Sequence, residues 1–139
     1  MTAADDRGML DTSTVILLGR LADPSTLPTD SVISAITLAE LSVGPHVART
    51  SKERAARQAH LQQAESDFDT IPFGPEAARA FGRVAASLRS AGRKPAARAY
   101  DALIAASALA ENIPIHTCNP DDFQGIEGLE VRAVPHPGR

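Results

Sequence analysis

A chain of 139 residues, 43% hydrophobic and 4% aromatic, carries enough apolar material for one domain core and too little for two. No apolar run nears the roughly 20 residues that span a bilayer, and the polar, acidic start lacks the pattern of a signal peptide. The single cysteine, Cys118, leaves no internal disulfide, and no Cys/His cluster has zinc spacing, so a cytoplasmic protein is expected. The net charge of −3, from 14 basic and 17 acidic side chains, argues at first against a nucleic-acid partner.

Residues 8–11 read as a short first strand. Thr12 and Ser13 then cap a helix carrying Val15, Ile16, Leu17, Leu18 and Leu21, which stops before Pro24. Residues 31–35 read as a second strand and residues 37–43 as a helix ending near Gly44 and Pro45. A long polar helix follows over 51–66, then a third strand within 68–73. The spacing of Ala77, Ala80, Phe81, Val84, Ala85 and Leu88 predicts an amphipathic helix over 75–91, ended by Gly92. Residues 98–111 are nearly free of polar side chains after Asp101, the pattern of a buried helix. Residues 113–117 and 129–134 are the last strands. Short apolar runs alternating with helices indicate parallel βαβ units, so the fold class is α/β with helices on both faces of a mainly parallel sheet of four to five strands. No linker divides the chain. One domain over 1–139 is expected, with its core at about 9–134 and untethered residues at both ends.

Five carboxylates stand at the edges of apolar stretches: Asp11, Glu40, Asp101 and the pair Asp121 and Asp122. A carboxylate in such surroundings pays for desolvation or protonates, and several converging on one place are compensated by a divalent cation. Oxygen-only ligation favours Mg²⁺ or Mn²⁺ over zinc. With these five set aside, 17 − 5 = 12 acids face 14 bases, and the objection to a nucleic-acid partner weakens. Arg93, Lys94 and Arg98 lead up to Asp101 and are expected to hold phosphates beside the metal, whereas Arg79 and Arg83 read as a solvated helix face. Asp11 ends one strand and Asn119 to Asp122 follow another, so both fall at the carboxyl edge of the sheet, where parallel α/β sheets bind ligands.

In this order, Leu10-Asp11-Thr12-Ser13, Ala39-Glu40-Leu41 with Gly44, Asp101-Ala102-Leu103-Ile104-Ala105-Ala106-Ser107-Ala108 and Thr117-Cys118-Asn119-Pro120-Asp121-Asp122-Phe123 resemble the PIN-domain ribonucleases and, within them, the VapC-type toxins of bacterial toxin–antitoxin pairs. The resemblance covers about residues 9–134. It implies a PIN-like three-layer α/β/α sandwich and a Mg²⁺-dependent endoribonuclease, with Mn²⁺ able to substitute, inhibited by a VapB-like antitoxin. Carried over residue by residue, it makes Asp11, Glu40, Asp101 and Asp122 the catalytic and metal-binding acids, with Thr12, Ser13, Asn119 and Asp121 supporting them. Asn119 stands where the family most often has an acid or an Asn, which leaves a second metal open.

The chemistry expected from these residue types is hydrolysis of an RNA phosphodiester by metal-activated water, leaving 5′-phosphate and 3′-hydroxyl ends. His116 is expected to be a hydrogen-bonded structural residue, and Cys118 to fill space. Leu17, Leu18, Leu21, Leu41 and Val43 either line a groove for an antitoxin segment or complete the core, and a homodimer or an assembly with antitoxin is expected. A haloacid-dehalogenase-like phosphatase requires a second Asp two residues after the first, and position 13 is Ser. A PIN-like module that binds RNA or protein without cleaving it is the remaining alternative.

Overall fold

The computed structural model describes residues 6–138. Among them are five strands, β1 (Arg7–Leu10), β2 (Asp30–Ser34), β3 (Asp69–Ile71), β4 (Ile115–Thr117) and β5 (Val131–Ala133), and five α-helices, α1 (Thr12–Leu17), α2 (Ala35–Val47), α3 (Ser51–Asp67), α4 (Pro75–Ser90) and α5 (Ala99–Glu111). The strands form one sheet in the order β3-β2-β1-β4-β5, with each neighbouring pair parallel. This is the α/β sandwich with a parallel central sheet that the sequence predicts. The strand order reverses between β1 and β4, which opens a crevice at their carboxyl ends.

Alternation along the strands divides the core. Met9, Val32 and Ile115 point to one face, where Ala80, Val84 and Leu88 of α4 and Ala102, Ile104, Ala105 and Ala108 of α5 cover them. Leu10 and Ile33 point to the other and pack with Val15, Leu41 and Ala64 from α1, α2 and α3. Each fully buried aliphatic side chain contributes roughly 1.5–3 kcal/mol, so this alternation fixes the register and hence the end of the sheet at which Asp11 emerges. The alanines of α5 keep that helix close to the sheet. The helix ends on Asn112 in the left-handed conformation at φ 56°, with the Ile113 N–H donating to the Ala108 carbonyl at 3.1 Å. No helix among the described residues is long and apolar enough to cross a membrane.

Three local expectations are corrected. Helix α2 does not stop at Gly44 and Pro45 but runs through both to Val47. Pro45 is buried, and α3 binds the carbonyls of that last turn: Arg57 Nη1 donates to Gly44 O at 3.0 Å and Arg54 Nε to Pro45 O at 3.3 Å. Helix α1 is capped by Asp11, whose side chain accepts from the Thr14 N–H, and not by Thr12 or Ser13. Asp6 to Gly8 are tied down: Asp6 accepts from the Thr29 N–H at 2.7 Å, Arg7 pairs with Asp30 at 3.3 Å, and Gly8 lies in β1. The rest of the expected untethered start, residues 1–5, lies outside the described residues, as does residue 139.

His116 fills its place by shape. Its ring is buried, and neither nitrogen has a hydrogen-bond partner among the described residues, contrary to the hydrogen-bonded role expected. The ring stands over Gly8: a Cβ there would lie 2.5 Å from His116 Cδ2 and 3.0 Å from Pro28 Cγ. Burial accordingly holds the imidazole below its ordinary pKa. Gly8→Ala is therefore expected to cost about 1–3 kcal/mol by overpacking, read by urea denaturation, and His116→Ala in the same chain to recover part of the loss. A Gly8→Ala variant as stable as the parent would refute this packing.

Candidate active site

Asp11 leaves β1 at its carboxyl end and is only 2% exposed. Four hydrogen bonds serve its carboxylate. Thr14 donates to Oδ1 from its backbone N–H at 3.2 Å and from its hydroxyl at 2.5 Å, and Ser13 and Thr117 each donate a hydroxyl to Oδ2 at 2.9 Å. Burial raises the Asp11 pKa, and these donors oppose the rise. Thr14 also accepts from the Cys118 N–H at 3.0 Å, and Thr117 Oγ1 from the Asn119 N–H at 2.9 Å. The loop after β4 is thus joined to the start of α1 through Asp11.

Glu40 comes from the second turn of α2. The Thr12 hydroxyl donates to Glu40 Oε1 at 2.7 Å and lies 3.0 Å from Thr37 Oγ1. Half-buried, Glu40 has its pKa raised first by desolvation and further by Asp11, against the Thr12 bond. Asp101, in the first turn of α5, is the most perturbed acid of the crevice. Its pKa is raised to about 6, first by burial and then by the charges of Asp122, Asp11 and Glu40, with Arg98 alone among the named causes acting to lower it. Asp122 is carried by a 3₁₀ turn, Pro120–Phe123, that buries Phe123 beneath it. Its carboxylate pairs with Arg98 Nη1 at 2.6 Å.

The structure thus brings Asp11, Glu40, Asp101 and Asp122 within each other's field at the carboxyl edge of β1 and β4. As they stand, no group of three His, Cys, Asp or Glu side chains among the described residues closes into a ligand cage. Of the supporting residues expected, Thr12 and Ser13 hold carboxylates. Asn119 donates from Nδ2 to Ser13 Oγ at 3.1 Å, while Asp121 is exposed and accepts from the Gln124 side-chain amide. Arg98 faces an acid. Arg93 Nη1 donates to the carbonyls of Asp121 at 3.1 Å and Gln124 at 2.7 Å, and Lys94, Arg79 and Arg83 are exposed. Cys118 is buried beside Leu17 and Val134, as a space-filling residue would be.

Sequence reasoning missed Thr14, Thr37 and Thr117 as parts of the site. All three are fully buried polar residues. The available signal was a hydroxyl at each of the three positions after Asp11, Thr12-Ser13-Thr14, with another at the last position of β4.

Beside Glu40 runs a groove of about 520 Å³ lined by Ile16, Leu41, Gly44, Ala56, Arg57 and His60, and on its other side a recess of about 320 Å³ lined by Ala39, Val43 and Tyr100. Leu17 and Leu41 are core residues, whereas Ile16, Val43, Val47 and Tyr100 are more than half exposed. Of the residues expected to line a groove, Val43 is exposed and Leu41 lines the groove from a mostly buried position, Leu17 completes the core, and Ile16 and Tyr100 are surface residues the expectation did not include.

A parallel sheet whose order reverses over a crevice of four carboxylates defines an α/β protein with an acidic centre at its switch point. Residues 9–129 match the PIN domain model, and the chain belongs to that family. Within it, the chain is 36% identical over 130 residues to ribonuclease VapC5 of Mycobacterium tuberculosis, covering 92% of this chain and 93% of that one. It is 32% identical to ribonuclease VapC of Rickettsia bellii, over 91% of this chain and 96% of the relative. Its fold is similar to the crystal structure of VapBC-5, a toxin–antitoxin system of M. tuberculosis, with a TM-score of 0.76 and 34% identity across 93% of this chain and 98% of that one.

Proposed function

We propose that this protein is a metal-dependent endoribonuclease, acting in the cytoplasm as the toxin of a toxin–antitoxin pair. The observation that carries the reading is Asp101, raised to about 6 among Asp11, Glu40 and Asp122. Four acids share that field, and Arg98, paired with Asp122, is the one cation named among the charges acting on Asp101. Such an excess of negative charge, built from oxygen donors alone, suits a hard divalent cation, Mg²⁺ or Mn²⁺. Asp11 and Asp101 would hold it, with Glu40 and Asp122 completing the site. When bound, the ion supplies Lewis-acid stabilisation of the scissile phosphate and lowers the pKa of water.

The chain's own groups prepare the rest. Ser13, Thr14 and Thr117 fix the Asp11 carboxylate in one orientation, and Thr12 fixes Glu40, so neither acid reorganises during the reaction. Burial beneath α1 and β4 keeps water off the inner side of Asp11. Lys94 is exposed four residues before Arg98 and is the proposed contact for the RNA backbone. The likeness to VapC ribonucleases supports RNA as substrate, and the likeness to a VapBC complex supports an antitoxin partner. A segment of that antitoxin fits the groove of Ile16, Leu41 and Gly44 that leads to Glu40. A homodimer, or an assembly with antitoxin, is the expected form.

The test is cleavage of bulk RNA by the purified protein with Mg²⁺, with Mn²⁺ and with excess EDTA, each with and without the candidate antitoxin encoded beside it. Cleavage is expected only with metal and only without antitoxin, leaving 5′-phosphate ends. A 2′-deoxy sugar at the scissile position is expected to be tolerated, because water and not the 2′-hydroxyl is the nucleophile. Undiminished cleavage in EDTA, or 2′,3′-cyclic phosphate ends, overturns the mechanism. Cleavage that the antitoxin leaves untouched overturns the pairing alone.

A further inference from the structure

Hydroxyl groups hold Asp11 and Glu40, but a cation of the chain itself holds Asp122. Arg98 Nη1 lies 2.6 Å from Asp122 Oδ1, and the two side chains are 35% and 36% exposed. Arg98 is the last residue of the 3₁₀ turn Pro95–Arg98, directly before α5 and three residues before Asp101. Its charge is also felt at Asp101. A guanidinium in that position bonds one of the four acids on which the proposed metal site depends and lies in the field of another.

We infer that Arg98 is a resident counter-cation: it occupies Asp122 while the crevice is without its metal ion, and the two cations exclude each other at that carboxylate. The inference rests on the metal-dependent reading above. Two features decide which partner yields. The turn bearing Asp122 is fixed: Arg93 clamps the carbonyls on either side of it, the Asp122 N–H donates to Asn119 O at 3.0 Å, and Phe123 is buried. Gly125, just beyond, has φ +87°, and a Cβ there would stand 2.9 Å from Ala91 Cβ, so the loop sits against the end of α4. The backbone that carries Asp122 is therefore held in place, while Arg98 reaches it through a long, flexible side chain. Arg98 is the mobile partner, since a pair this exposed exchanges with water at a cost of only about 1 kcal/mol. Its departure places a second acid oxygen at the disposal of the ion and removes a like charge from the crevice.

The inference is tested by titrating the purified full chain with MnCl₂ in a calorimeter, without RNA and at low salt. Arg98→Gln and Arg98→Ala are expected to bind Mn²⁺ about five-fold tighter than the parent, and Arg98→Lys, which keeps the charge, to stay close to the parent. In an Asp122→Asn background the same Arg98→Gln change is expected to have a clearly smaller effect, because its target is gone. Circular dichroism and thermal melting establish that each variant is folded. Parent-like or weaker Mn²⁺ binding by folded Arg98→Gln and Arg98→Ala overturns the inference and leaves the metal reading standing. Absence of Mn²⁺ binding by every protein in the series overturns both.

Discussion

Asp101→Asn is expected to lower RNA cleavage by roughly 10²–10³-fold, the loss that follows removal of one strong electrostatic contact to the reacting centre. The same substitution is expected to make the metal-free protein more stable. The Asp101 carboxyl is raised from 3.8 to about 6 in the folded chain, so between these values the folded state binds more protons than the unfolded one. Its contribution is then favourable at low pH and is lost as pH rises through about 6. Asn carries no such penalty. After allowance for the solvent that screens a half-buried group, the gain at pH 7.5 is about 1 kcal/mol, or about 3 °C in Tm. Melting in EDTA at pH 7.5 and pH 4.5 checks this: the gain should shrink at the lower pH. A variant less stable than the parent at pH 7.5 contradicts the electrostatics described for the crevice.

Asp11→Ala has the same expected consequence for cleavage and the opposite one for stability. It removes the N-cap of α1, worth about 1 kcal/mol, and strands the buried hydroxyls of Thr14 and Thr117, at about 1–3 kcal/mol for an unsatisfied group. A total near 3–7 kcal/mol lowers Tm by roughly 9–25 °C. Asp11→Asn keeps an oxygen for Thr14 and should melt close to the parent while remaining inactive. Equal melting temperatures for Asp11→Ala and the parent would show that the hydroxyl network carries no stability.

These two acids also show how far the residues alone reach. The alternation of Met9 with Leu10 and of Val32 with Ile33, and the stripe from Ala77 to Leu88, are visible in the letters because strand and helix periods are local. The four acids are visible because charge beside apolar runs is anomalous. The part of α2 beyond Pro45 was not, since the groups that hold it, Arg54 and Arg57, come from another helix. Arg98 and Arg93 were read as phosphate ligands because a basic run before an acid has no local partner, whereas in the fold they meet Asp122 and the loop around it, more than 20 residues later. The Thr117 hydroxyl was hidden for the same reason, since its partner Asp11 lies 106 positions away, whereas Thr14 is only three residues from Asp11 and was within reach of a local reading.

That separation has a consequence for biosynthesis. Translation delivers β1 with Asp11 first, α2 with Glu40 soon after, and Asp101, β4, Thr117 and Asp122 only in the final third of the chain. At about 5–20 residues per second, several seconds pass between the emergence of the first acid and the last. Throughout that interval β1 lacks β4 as its neighbour, and the Asp11 carboxylate lacks the Thr117 hydroxyl. The segments that line the groove beside Glu40, in α1, α2 and α3, are therefore synthesised before the complete set of acids. The segments that a partner would grasp are made before those that would cut.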